Sequence, residues 1–134
     1  MTRRARWVVA AVLAATVVLG LLIALLAPRE PEWGPVTPER YEAAVADLRD
    51  MVRLTEAGDL AAGEAAFWRA HPFLHAVDPP LRRAHPELAR QLWDVMVLLE
   101  VAYAGTPEPE DLLRHGRSVL RLLEEAGEVL DLAS

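Results

Sequence analysis

A chain of 134 residues with a formal charge of −6 and no cysteine has room for one small core once the apolar stretch near its start is set aside. It excludes disulfides, thiolate metal sites, c-type haem attachment and a cysteine nucleophile. All fourteen basic residues are arginines, three of them ahead of the apolar stretch, so residues 28–134 carry 11 − 20 = −9. An acidic domain of that kind does not seek nucleic acid, and no nucleic-acid partner is expected.

Residues 1–6 form a basic segment with Arg3, Arg4 and Arg6. From Trp7 to Ala27 no charge occurs, and only Thr16 and Gly20 interrupt the apolar surface. As a helix, 7–27 would be about 31 Å long, matching a bilayer core of about 30 Å. The arginine excess in front of it, against Arg29, Glu30 and Glu32 behind, predicts a signal-anchor: one transmembrane helix with a cytoplasmic N-terminus. The rest of the chain is then periplasmic or extracellular on a single-pass protein of the cell (inner) membrane. A cleaved secretory signal peptide begins in the same way, but its apolar core usually covers about 7 to 15 residues. Here Leu25 and Pro28 also stand where a cleavage site after Ala27 would need small residues.

Residues 28–37, with prolines at 28, 31 and 35, read as a Pro-rich stalk in which Trp33 suits the membrane interface. Residues 38–134 predict an all-α extracytoplasmic domain, an up-and-down four-helix bundle whose second helix is broken. Thr37 caps the first helix with Pro38 at its first position, and Tyr41, Val45, Leu48 and Val52 recur at helical spacing until Gly58. Asp59 caps the second, which Pro72 is expected to break, leaving Phe73 to Asp78 as a short piece stopped by Pro79 and Pro80. The identical Arg69-Ala70-His71-Pro72 and Arg83-Ala84-His85-Pro86 both place a histidine where a cap would stand.

A third helix from about Pro86 to Ala104 turns Leu88, Leu92, Val95, Met96, Leu99, Ala102 and Tyr103 to the core. Its C-terminal half is apolar at Val97 and Val101 as well, which predicts cover on two sides, by the bundle or by another protein. Gly105 suits a left-handed cap. The last helix carries the seam Leu112, Gly116, Val119, Leu123, Ala126 and Leu130.

Chemistry is sparse. Ser118 and Ser134 are the only serines, no nucleophile elbow, phosphate loop or paired metalloprotease histidines occur, and no enzyme is expected. His71, His75 and Asp78, in an H-x3-H-x2-D spacing, would share a helix face and could hold a divalent or ferric metal ion. The bland alternative makes His71 and His85 caps and His75 a surface residue. Glu100, alone in the apolar run from Val95 to Ala104, reads as a boundary carboxylate.

Ala57-Gly58-Asp59, Val77-Asp78-Pro79-Pro80-Leu81-Arg82, Ala84-His85-Pro86-Glu87-Leu88 and the link from Gly105 to Leu113 give a stretch from Tyr41 to Leu130. This stretch resembles the extracytoplasmic helical domain of bacterial high-affinity iron permeases. In that family the matching hairpin carries acidic residues associated with iron, and here the positions hold His75, Asp78 and Trp93, of which Asp78 alone keeps the acidic character. The resemblance implies a singly anchored accessory to metal uptake that lacks the permease's further membrane helices. The expected function is thus a non-enzymatic binding module with a membrane-protein partner. The alternative is a structural subunit of an envelope complex with no metal role.

Overall fold

The computed structural model describes residues 3–27 and 32–134 and, within the first stretch, the side chains of 12 and 14–27. The chain divides into two compact units, Met1–Glu30 and Pro31–Ser134.

In the first unit, α1 runs from Arg3 to Leu26. Among the described residues no helix is long and apolar enough to cross a membrane. Described side chains are continuous in α1 only over 14–26, and such a run is about 20 Å long against a core of about 30 Å. The span expected over 7–27 therefore reaches beyond the described side chains, as do the basic segment 1–6 and stalk residues 28–31. What α1 does show is apolar surface on every side: Val17, Val18, Leu19, Leu21, Leu22, Ile23, Leu25 and Leu26 are all exposed. Its one hydroxyl in that stretch is satisfied internally, Thr16 Oγ1 donating to the Val12 carbonyl at 2.8 Å.

The second unit is a helical bundle with no strand among the described residues: α2 (Pro38–Glu56), α3 (Leu60–Ala84), α4 (Pro86–Ala104) and α5 (Pro109–Val129). Each helix packs against its sequence neighbour, α5 closes the ring on α2, and α3 also touches α5 across the middle. The caps are those that the sequence predicts. Thr37 accepts from the Arg40 amide at 3.3 Å, Asp59 from that of Ala62 at 3.1 Å, and His85 Nδ1 from that of Leu88 at 3.2 Å. Gly58, at φ +83°, lets the Asp59 amide reach back to the Leu54 carbonyl at 2.9 Å and ends α2. Gly105 departs from expectation: its φ of −101° is not left-handed, and its amide simply continues to the Val101 carbonyl at 3.1 Å.

The core is built by Tyr41, Leu48 and Met51 of α2, Phe67, Leu74 and Leu81 of α3, Leu92, Met96 and Leu99 of α4, and Leu112, Val119 and Leu123 of α5, all buried. Of the α5 seam only Leu130 is less than buried, packing partly against the same cluster.

The expectation of a broken second helix is wrong. α3 is continuous from Leu60 to Ala84 with Pro72, Pro79 and Pro80 inside it, so His71 is a mid-helix residue and not a cap. An interior proline costs about 3 kcal/mol when it leaves a carbonyl unpaired and clashes with the preceding turn. Two things oppose that cost. Phe73, Leu74, Val77 and Leu81 stay in phase with Phe67 and Ala70 and are all buried, each contributing about 1.5 to 3 kcal/mol. The three prolines themselves sit on the half-buried to exposed side of the helix, where water can reach the carbonyls they free.

Candidate metal centre

Because α3 is unbroken, His71 and His75 stand one turn apart on a single face. α4 returns alongside after a joint of one residue, His85. His71 lies 85 − 71 = 14 positions before that joint and Glu100 lies 100 − 85 = 15 after it, so a helical hairpin brings them level. His71 Nε2 is 2.6 Å from Glu100 Oε1 and 3.2 Å from His75 Nε2, and His75 Nε2 is 3.9 Å from the same carboxylate oxygen. All three side chains are part-buried.

Protons alone satisfy this triangle poorly. If His71 Nε2–H donates to Glu100, it has no lone pair left for His75; if it accepts from His75 Nε2–H, it has no proton for the carboxylate. One cation at the centre would satisfy all three donors at once. Metal–nitrogen bonds of about 2.0 to 2.1 Å in tetrahedral geometry set donors about 3.3 Å apart, so the observed triangle needs only sub-ångström adjustment, mainly of Glu100. Two imidazoles and a carboxylate suit zinc, iron or copper and leave at least one coordination position open.

Aromatic rings enclose the imidazoles. Trp33 stacks on His75 with centroids 4.4 Å apart and planes at 17°, and Trp93 meets the same ring edge-on at 5.3 Å. Trp68 and Phe67 meet His71 edge-on at 4.8 and 5.6 Å. This burial, and secondly the neighbouring His71, hold the His75 pKa below the usual imidazole value, against the pull of Glu100, Asp78 and Glu32. A neutral imidazole is the form that binds metal.

Of the residues singled out in the sequence, His71 and His75 are brought together. Asp78 is not brought to them: its carboxylate accepts from Arg82 Nη2 at 2.7 Å and Nε at 3.3 Å. Glu100 takes the third place. Trp33, expected at a membrane interface, rests on His75. The sequence signal for Glu100 was a carboxylate inside an apolar run, which is costly unless a partner meets it. Comparison with known proteins adds no relative, since no family model, no curated protein and no solved structure matches this chain.

Proposed function

We propose that this chain is a non-enzymatic, membrane-anchored extracytoplasmic helical module that binds a divalent or ferric transition-metal ion at His71, His75 and Glu100, as an accessory to metal uptake. The observation that carries the reading is the convergence of two imidazole nitrogens and one carboxylate oxygen, all within 4.8 Å of one another. Three nitrogen and oxygen donors without a thiolate make an open, exchangeable site, suited to handing a cation to a membrane-protein partner rather than storing it. The anchor is supported by the charge-free run over 7–27 behind three arginines and by apolar side chains exposed on every side of α1. A helix apolar all round is at home in lipid. The resemblance to iron-permease domains points to the same kind of cargo, with Glu100 in the ligand set in place of Asp78.

Calorimetry on the full chain with zinc, copper(II) and iron(II) is the test. Binding near pH 7 with Kd about micromolar, or roughly −8 kcal/mol, is expected, weakening below about pH 6 because imidazole must be neutral to coordinate. His75→Ala with Glu100→Gln should abolish the heat and keep the helical circular dichroism, whereas Asp78→Ala should leave both. No heat from any of the three metals, or heat untouched by the double change, overturns the reading.

A second reading, a structural subunit of an envelope complex, has one observation in its favour. Of the second apolar face that the sequence predicts to be covered, Val97 is half-buried but Val101 is 64% exposed, with Leu98 beside it at 47%. Disruption of a complex on deleting a protein that binds no metal would favour this alternative.

A further inference from the structure

Beside the triad lies an open groove of about 380 Å³ lined by Trp33, Trp93, His75, Pro79 and the carboxylates of Glu32 and Asp78. His75 belongs to both the groove and the triad. The Trp33 wall is held in place without any ligand: Arg40 Nη2 donates to the Trp33 carbonyl at 2.9 Å, and Nη1 donates to the Pro35 carbonyl. Gly34 turns the chain between them at φ +82°, and a Cβ there would stand 2.7 Å from the Arg40 guanidinium. The segment 33–35 is thus clamped down as a preformed wall.

A hydrated ion bound by three donors has no use for such a groove. One water takes about 30 Å³ of liquid volume, and stacking surfaces do nothing for water. The groove instead has the size of a small-ligand site and indole faces that favour flat rings in offset or edge contact. Two carboxylates line it, one paired with Arg82 and the other, Glu32, exposed. With these carboxylates and no arginine among its lining residues, the groove selects against an anionic occupant.

We propose that the groove holds the organic part of a chelated cargo, a cationic one-to-one complex of the triad's metal with a flat heteroaromatic nitrogen chelator. This rests on the metal reading above. Two donors from the chelator and three from the protein give a five-coordinate centre, within reach of zinc, while the ring system lies against Trp33 and Trp93.

The experiment compares zinc alone with the one-to-one zinc–1,10-phenanthroline complex on the full chain, by calorimetry and by co-elution of chelator absorbance with protein in gel filtration. The chelate should bind at least tenfold tighter than zinc and elute as a one-to-one-to-one assembly. Trp93→Ala should cut the ratio of chelate to zinc affinity, both measured in that variant, to less than threefold, and Trp93→Phe should restore most of it. Equal affinity for zinc and chelate, an advantage that survives Trp93→Ala, or equal binding of metal-free phenanthroline overturns the groove proposal while leaving the metal site standing. Loss of zinc and chelate affinity together in Trp93→Ala, with no rescue by Trp93→Phe, also overturns it, since the indole would then act only through His75. Failure of the unaltered protein to bind zinc in either form overturns the groove proposal, and failure with copper(II) and iron(II) as well overturns the metal reading with it.

Discussion

Arg69-Ala70-His71-Pro72 and Arg83-Ala84-His85-Pro86 are one tetrapeptide used twice, with opposite outcomes. The first lies inside α3 and its histidine joins a cluster of polar donors; the second separates α3 from α4 and its histidine caps the new helix. Hydrophobic phase does not decide between them, because Leu88 and Leu92 continue the spacing of Leu74, Val77 and Leu81. What differs is the surface available alongside. At Pro72 the helix still has α2 alongside, with Tyr41 and Phe73 in ring contact at 6.4 Å between centroids, and Phe73, Leu74 and Val77 are all buried. At 25 residues α3 is already longer than α2, which has 19. A helix carried on past His85 would leave Leu88 and Leu92 without that cover, whereas turning back buries them. A proline ends a helix where ending it brings burial, and is tolerated where it does not.

The contrast can be broken most forcefully at Leu74. If burial beyond Pro72 holds α3 together, Leu74→Ala should lower stability by about 2 to 5 kcal/mol in chemical denaturation of the full chain; a loss below about 1 kcal/mol would remove burial as the explanation. Next come the prolines. Pro72→Ala should restore an amide donor to the Trp68 carbonyl and raise stability by about 1 to 2 kcal/mol, net of the freedom returned to the unfolded chain. Pro86→Ala, at a first helical position, should cost only a few tenths, and similar changes at the two sites would erase the distinction. His85→Ala, removing a cap, should cost about 0.5 to 1 kcal/mol, the low end for a cap, because imidazole is a weaker one than Ser or Asp.

The smallest effect concerns acid. Burial and then His71 depress the His75 pKa, so below the unfolded value of about 6.5 the unfolded chain binds more protons than the folded one. Stability should therefore fall as pH drops from 7 towards 5 and be unaffected by this group above 7. In His75→Gln that part of the slope should vanish, and an unchanged slope would mean that the imidazole is not held neutral.

The starts of α2, α3 and α4 and the core faces of α2, α4 and α5 were legible because caps, glycine and apolar spacing are local signals. Thr37, Asp59, Gly58 and the run from Leu88 to Tyr103 behave as their neighbours dictate. The course of α3 was not legible, because local rules assign Pro72 a penalty and say nothing of the burial on the helix beyond it. Two of the three members of the candidate site, His71 and His75, followed from their spacing. Its third member did not, since Glu100 meets them only through the α3–α4 hairpin, and Asp78 is drawn instead to Arg82 one turn along, an ion pair at the common i,i+4 spacing. The place of Trp33 was equally hidden, because the clamp that sets it is a long-range side chain to backbone contact from Arg40.

The crowding of indoles around the two imidazoles also has an optical consequence. Trp33, Trp68 and Trp93 each lie in ring contact with His71 or His75, at 4.4, 4.8 and 5.3 Å between centroids, and the only other tryptophan in the chain is Trp7. Open-shell ions quench indole emission at contact range, through electron transfer that fades within a few ångströms. Intrinsic fluorescence of this protein is therefore weighted towards a single few-residue neighbourhood. Emission therefore reads the occupancy of the site around His71 and His75, with no label attached and no residue changed.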